Sequence, residues 1–333
     1  MAGKRQHHIP KLLLRGFSSK IHRGANFTWY FRKDSTPCEI SINDLALSRK
    51  FYGDPGPDTL DDLITKEESR YALAIKRVRE NYSIFEEDIP IISEFILNLI
   101  CRTKYIRAGM LSATGTIIEI ANSVLSKKES IEPVVERELK KHFPLAPARE
   151  FAKIKSQAMQ ELFPVAQVQS HNLFTLLRNN NTINISKAHN KAMLEILSKE
   201  EPVARKKRYS DLKWTVIRSD SIQFILGDIG VIEMDQRSGE FYPPIINKAD
   251  DFVIFLPISN RAIVVGARSS QKVLPSGNII NKSIAMLSLE YFISANSSEI
   301  ENELLAHLGE KASFWWQEIV ANIKFDDFPG RKL

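Results

Sequence analysis

Apolar and polar positions change their spacing several times along this 333-residue chain, and each change predicts an element. Between Asn26 and Ser41 they alternate around the turn Lys33-Asp34-Ser35-Thr36, the pattern of a β-hairpin. Phe51 and Tyr52 form a short strand-like segment, and Gly53 to Asp58 (GDPGPD) then breaks the chain, with Asp58 placed as a helix N-cap. Leu60, Leu63, Ile64, Tyr71, Ile75 and Val78 recur at three and four residues, predicting one amphipathic helix. A second is predicted from Asp88 as cap and Pro90 in the first turn, burying Ile91, Ile92, Phe95, Ile96, Leu99 and Ile100. Further helical patterns cover 115–125, 131–142, 149–162 and 187–197, with polar punctuation at Asn179 to Asn184 and at Pro202.

After the basic run Arg205 to Arg208 the period shortens. Segments 214–218, 222–226, 231–234, 252–257 and 262–266 are short and β-rich, which predicts an antiparallel sheet. Helical patterns return at 278–289 and 298–308, and Phe314, Trp315, Trp316, Ile319 and Val320 read as a closing aromatic helix. An isolated hairpin is barely stable in water, so the amino-terminal one needs a partner sheet. The expected fold is α+β: an antiparallel sheet built from the amino-terminal hairpin and the carboxy-terminal strands, with a central helical bundle packed on it. A single domain over 1–333 is expected, divided into a basic hairpin segment (1–57), a helical region (58–204) and a β-rich region with terminal helices (205–333).

Composition adds that 43% hydrophobic and 26% charged residues suffice for a sizeable core. Residues 1–57 hold ten Lys or Arg against four acids, a surplus of six that equals the net charge of the whole chain. A basic segment beside a balanced body fits an anionic partner, nucleic acid or nucleotide, and equally fits a solvated basic face. The apolar run Leu12 to Leu14 is too short for a signal-peptide core, and the run from Ile89 to Cys101 is interrupted by Ser93, Glu94 and Asn98. A cytoplasmic protein without a membrane partner is expected. Cys38 and Cys101 are the two cysteines and have no zinc-binding spacing; Cys101 fits a small buried side chain better than a nucleophile.

The chain has no Walker P-loop, no GxGxxG after a strand, no HExxH and no GxSxG. Its candidates are polar residues in apolar surroundings. Gln6, His7 and His8 precede Ile9 and Pro10, and a positioned imidazole is a natural general base or metal ligand; a surface His pair is the alternative. Glu68 sits four residues after Ile64 and three before Tyr71, on or beside the buried stripe, while Arg102 ends the apolar run of the next helix. The two either form a structural ion pair, or Arg102 grips a phosphate or developing negative charge. Asp228 stands between Gly227 and Gly230, where it is an exposed strand-end carboxylate or a simple turn residue. Together His7, Glu68, Arg102 and Asp228 would supply a base, carboxylates for a proton or a divalent metal, and an anion clamp.

At these positions the chain resembles an uncharacterised, mostly microbial family catalogued as domain of unknown function 4238. The resemblance is carried by Gln6, His7, His8, Ile9 and Pro10, then Leu14, Arg15, Gly16 and Phe17. It extends through Glu67, Glu68 and Ser69; Cys101, Arg102 and Thr103; Phe224 to Gly230; Leu256 to Ser259; and Ile280 with Asn281. Within Phe224 to Gly230 the family's Asp is retained, while its Ser, Asn and Pro are replaced. The resemblance implies that His7, Glu68, Arg102 and Asp228 belong together, and draws Gln6, Arg15 and Asn281 in as substrate-binding candidates. It also implies a role as an anti-phage defence or toxin-type effector. The enzyme reading is then a nuclease or other phosphodiester hydrolase; the competing reading is a non-catalytic binding or sensor protein in which the same residues are structural.

Overall fold

The computed structural model describes residues 5–54, 56–197, 208–244, 249–268 and 274–312. The expected aromatic helix beyond residue 313, Pro202, and most of the basic run before Arg208 lie outside them. The chain is a mixed α+β protein with amino-terminal antiparallel strands, central helices and a carboxy-terminal antiparallel sheet. It divides into two compact units, one of residues 1–108 with 188–315 and one of 109–187 with 316–333.

In the first unit the hairpin forms as the alternation predicts. Strands β3 (Ala25–Arg32) and β4 (Cys38–Ser41) pair antiparallel, and β2 (Lys20–His22) lies on the other side of β3. The partner that an isolated hairpin needs comes from the far end of the chain, because β3 also pairs with β12 (Tyr291–Ser294), Trp29 opposite Ser294. Phe31 stacks on Phe292 across that register at 4.8 Å. Buried Thr28 Oγ1 donates to the carbonyls of Phe17 and Ser294, and so closes the seam. The second sheet orders β6 (Lys213–Arg218), β11 (Ala262–Ala267), β10 (Phe252–Ser259), β8 (Ile232–Asp235) and β9 (Phe241–Tyr242). Its central strands β10 and β11 are apolar on both faces and buried almost throughout, so they read as continuous runs rather than alternation. The segment 222–226 departs from expectation. Only β7 (Leu226–Gly227) is a strand, and it joins β12 in the hairpin's sheet.

Helix α1 (Lys11–Leu14) buries Leu12, Leu13 and Leu14, and Phe17 follows them into the core. A Cβ on Gly16 would stand 2.1 Å from the Ile258 carbonyl oxygen, so the chain needs glycine where it crosses β10. Arg79 pins the same crossing by donating to the carbonyls of Ile258 and Leu13. It belongs to α2 (Leu60–Asn81), which buries Leu60, Ile64, Tyr71, Ile75 and Val78 as predicted and leaves Leu63 half-buried. The cap is Thr59 rather than Asp58: Thr59 accepts from the Asp62 amide, whereas Asp58 takes a left-handed φ of 56°. Helix α3 (Ile89–Arg102) starts at Asp88 with Pro90 in its first turn, yet the buried Asp88 carboxylate makes no cap and pairs with Arg77 of α2 instead.

The described residues of the second unit are helical. Helix α4 (Lys104–Leu125) runs into it, α5 (Lys128–His142) follows, and α6 is one helix from Ala148 to Leu197. Two helices separated at Asn179 to Asn184 were the expectation, but Asn costs less than about 0.7 kcal/mol in a helix, and packing outweighs that. Phe174 and Ile185 on either side are buried, and Lys155 holds α5 through Glu132 and Glu136 at 3.1 Å each. Helix α4 is long and apolar enough to cross a membrane by length and composition, and little of it is buried. Its small polar residues Ser112, Thr114, Gly115 and Thr116 break up the apolar run that the sequence reading looked for. Back in the first unit, α7 (Gly277–Leu287) and α8 (Glu299–Ala306) complete the chain as described.

Candidate functional site

Gln6 and His7 reach the first unit's interior because β1 (Arg5–His7) pairs with β5 (Leu47–Arg49), and His8 continues the tie with its amide on the Ala46 carbonyl. The Gln6 side chain serves backbone first: it accepts from the Tyr52 amide at 2.7 Å and donates to the Gly53 carbonyl at 3.1 Å. That fixes Tyr52, whose hydroxyl donates to the His7 carbonyl at 3.3 Å. Arg102, at the last residue of α3, is 1% exposed and binds the same carbonyl at 2.7 Å. Its Nε donates to the Tyr52 hydroxyl at 3.2 Å, and its Nη2 meets Glu68 Oε1 at 2.7 Å. Burial would lower the Arg102 pKa, but Tyr52 and Glu68 hold its proton more tightly than water does, so the net direction is upward.

The three residues His7, Glu68 and Arg102 therefore meet. They do so through the carbonyl of His7, while its imidazole hydrogen-bonds the Leu45 backbone. That ring is half-buried, its Nδ1 has no partner, and burial together with the charges of Lys11, Arg102 and Arg5 pushes its pKa down to about 4. His7 is accordingly a neutral imidazole at pH 7, able to accept a proton. Asp61, seven residues before Glu68 and so two turns away on the same face of α2, joins the group by a hydrogen bond with Gln6. Burial raises the Asp61 carboxyl pKa, with the Gln6 bond acting against it.

Behind these residues, His8 is buried against the Phe51 ring at 5.7 Å, and its pKa falls to about 3 through burial and the charges of Lys104 and Arg102. The Arg107 guanidinium lies over the same Phe51 ring, 3.7 Å from its centroid, and hydrogen-bonds His189 Nδ1. His189 Nε2 meets the Cys101 carbonyl at 2.6 Å, so that nitrogen carries the hydrogen and Nδ1 accepts. Burial and then Arg107 lower its pKa to about 4.

Asp228 stands apart from this hydrogen-bonded group. It is fully buried, and its two oxygens accept from the amides of Leu289 and Glu290 at 2.8 and 2.7 Å. Among the described residues neither oxygen bonds His7, Glu68 or Arg102. Burial raises its pKa to about 7 against the pull of those amides. Gly227 before it is required, since a Cβ there would lie 2.0 Å from Ser288 Oγ. Asn281 is likewise buried and staples the strand segment, accepting from the Ile225 amide and donating to the Gln223 carbonyl. Arg15 is exposed. Among the described residues no three His, Cys, Asp or Glu side chains converge as a metal-holding set.

Tyr52, Asp61, Arg107 and His189 escaped the sequence reading. The seven-residue interval from Asp61 to Glu68 was the one available signal; Arg107 lies beyond a helix break at Thr103, which hides its relation to Arg102.

Three histidines held neutral make the fold acid-sensitive. Each folded pKa (about 4 for His7 and His189, about 3 for His8) lies below the unfolded 6.5, so unfolding takes up protons as pH falls through that interval. Stability contributed by these rings is present above pH 6.5 and lost as pH drops toward 4. For the buried His8 and His189 the slope is about 1.4 kcal/mol per pH unit and proton. Urea midpoints measured between pH 7 and 4 should fall steeply in wild type and less steeply in His8→Gln; parallel curves would refute the assignment.

The geometry defines a mixed α+β protein with a cationic, histidine-bearing corner formed by its amino-terminal strand and the helices α2, α3 and α4. The family described as Protein of unknown function (DUF4238) matches over residues 5–322, and the chain belongs to that family. No curated protein and no solved structure matches it.

Proposed function

We propose that the protein hydrolyses phosphodiesters of a nucleotide or nucleic acid, acting in the cytoplasm as a toxin-type effector of the kind used against phage. The observation that carries this reading is the His7 imidazole, which is neutral, half-buried, tied on one side to the Leu45 backbone and left with an unpartnered Nδ1 beside a fixed guanidinium. His7 takes the proton of the attacking water as oxygen bonds to phosphorus. The leaving oxygen departs with its bonding pair and takes its proton from Asp61, whose carboxyl pKa burial shifts upward, the direction a proton donor needs. Arg102 and Glu68 hold the arrangement and its charge, and no step is assigned to Asp228. The basic amino-terminal segment supports an anionic substrate.

Because Arg102 and Tyr52 use only the His7 carbonyl, His7→Ala loses only the ring's own packing and its bond to the Leu45 backbone and should still fold. Its phosphodiesterase activity should fall at least about a hundredfold, the size of a lost general base. Undiminished activity in folded His7→Ala protein would remove the reading.

A second reading, a non-catalytic binding or sensor protein, is favoured by the way Arg102 ties α3 to β1 and α2, through the His7 carbonyl, the Tyr52 hydroxyl and Glu68. It expects His7→Ala to leave cellular function intact and Glu68→Gln to act through stability alone.

A further inference from the structure

Within the second unit, helix α6 is apolar on two sides, and the fold buries one of them. Phe174 and Ile185 are buried on the inner side, where Gln167 and Asn181 donate to the carbonyls of Ser126 and Leu111, just beyond and within α4. Leu162, Val165, Leu173, Leu176 and Ile183 are each more than half exposed. At about 100° per residue, these five fall within an arc of about 80°, on the side of the helix opposite Phe174 and Ile185. Singly exposed leucines are ordinary, whereas a continuous apolar stripe marks an interaction surface.

The stripe is also free of charge. Of residues 162–186 Arg178 alone carries a formal charge, in a chain that is 26% charged, and its position lies across the helix from the stripe. A solvated helix face would carry charged residues there. Leu162, Gln169, Leu176 and Ile183 recur every seven residues, the spacing of a seam that meets a second helix. Exposed Gln169 and Asn172 put amides into that seam, where another helix can satisfy them and a bilayer interior cannot. Pro164 stands at one end of the stripe, so Val165 to Ile183 run on without a proline.

Two copies of a chain with a net charge of +6 repel one another, and a neutral apolar strip is where that repulsion opposes contact least. From Leu162 to Ile183 the strip is about 32 Å long and about 10 Å wide, a flat face of about 300 Å². Two such faces, with the relief of their side chains, approach the total of about 1,000 Å² at which a specific interface begins. We propose that the protein is a reversible homodimer in which α6 of one copy packs along α6 of the other through Leu162, Val165, Leu173, Leu176 and Ile183. An interface at the low end of area holds the pair with a micromolar dissociation constant. The dimer is independent of the phosphodiester reading.

Sedimentation equilibrium of the full-length protein, freed of nucleic acid, is the test. The mass should rise from 38.0 kDa toward twice that value as the concentration is raised to about 100 micromolar, above the dissociation constant such an interface gives. Added sodium chloride should strengthen the association, since it screens the repulsion between like net charges. Leu173→Glu combined with Leu176→Glu places four carboxylates in the seam, and should weaken the dimer at least about a hundredfold with helix content unchanged. Thr182→Glu, exposed on α6 but off the stripe, should dimerise like wild type. If the double variant does not fold, Gln169→Glu, a near-isosteric change at an exposed position, takes its place and should weaken the dimer at least about tenfold. The proposal is overturned by a wild-type chain that stays monomeric over the whole range, by a dimer undiminished in whichever seam variant folds, by dissociation in added salt, or by equal weakening in Thr182→Glu. A monomeric wild type that instead sediments with phosphatidylcholine vesicles would overturn it in favour of a bilayer.

Discussion

Asp228→Ala should lower the unfolding free energy by about 2 to 3 kcal/mol. The carboxylate accepts two amides, those of Leu289 and Glu290, and removing it leaves both donors without an acceptor, at about 1 to 3 kcal/mol each when fully buried. Glu290 is exposed, so water recovers part of that cost. The loop in question carries the chain from α7 into β12, the strand that pairs with the amino-terminal hairpin, so the damage spreads to the seam. Urea unfolding measures the loss. Its pH dependence is a separate check. The folded pKa, about 7, lies above the unfolded 3.8, so the stability tied to the Asp228 proton is present below pH 3.8 and lost as pH rises through 7. This slope opposes that of the three histidines over their common range. Asp228→Asn, which cannot titrate, should therefore steepen the acid sensitivity of the protein. An Asn variant whose pH profile overlays the wild type would show that Asp228 is ionised throughout.

Glu68→Gln should cost about 3 kcal/mol, the lower end for breaking a buried pair, because Glu68 keeps 27% of its side chain in solvent while Arg102 is sealed. The asymmetry makes the direction specific. Glutamine still offers an oxygen to Arg102 Nη2 but cancels the anion paired with it, so a buried guanidinium loses its directly bonded counter-charge. Arg102→Met removes the buried charge itself and lets Glu68 turn to water, so its penalty should be smaller than that of Glu68→Gln, even though it loses the bonds to His7 and Tyr52. The comparison is made by denaturant unfolding of both variants and their double mutant. A larger loss in Arg102→Met would mean that the hydrogen bonds, not the charge balance, hold this corner together.

The sequence made some of this legible and hid the rest for physical reasons. The α2 and α3 stripes were readable because their period is helical and their neighbours are charged, and the position of Glu68 relative to Ile64 and Tyr71 placed it beside Arg102. Asp228 was conspicuous through its glycines, but whether its carboxylate faces a cleft or its own loop depends on the path of residues 289 and 290, which nothing near Asp228 encodes. Gln6 and Asn281 look like ligand-binding amides in a motif, whereas each satisfies two backbone groups that bends in the chain leave bare. The continuity of α6 through Asn179 to Asn184 was invisible locally, since it is decided by packing at Phe174 and Ile185.

The pairing of Trp29 with Ser294 has a consequence during synthesis. Strand β3 leaves the ribosome well before its neighbour on one edge, β12, which is translated only after more than two hundred further residues have been added. Throughout that interval the hairpin presents an open edge, a state prone to wrong pairing and dependent on the solubility that its lysines and arginines confer. Contacts so remote in sequence also slow the final closure of the sheet. Nascent chains should thus pass a late, rate-limiting step in which β3 and β12 find one another.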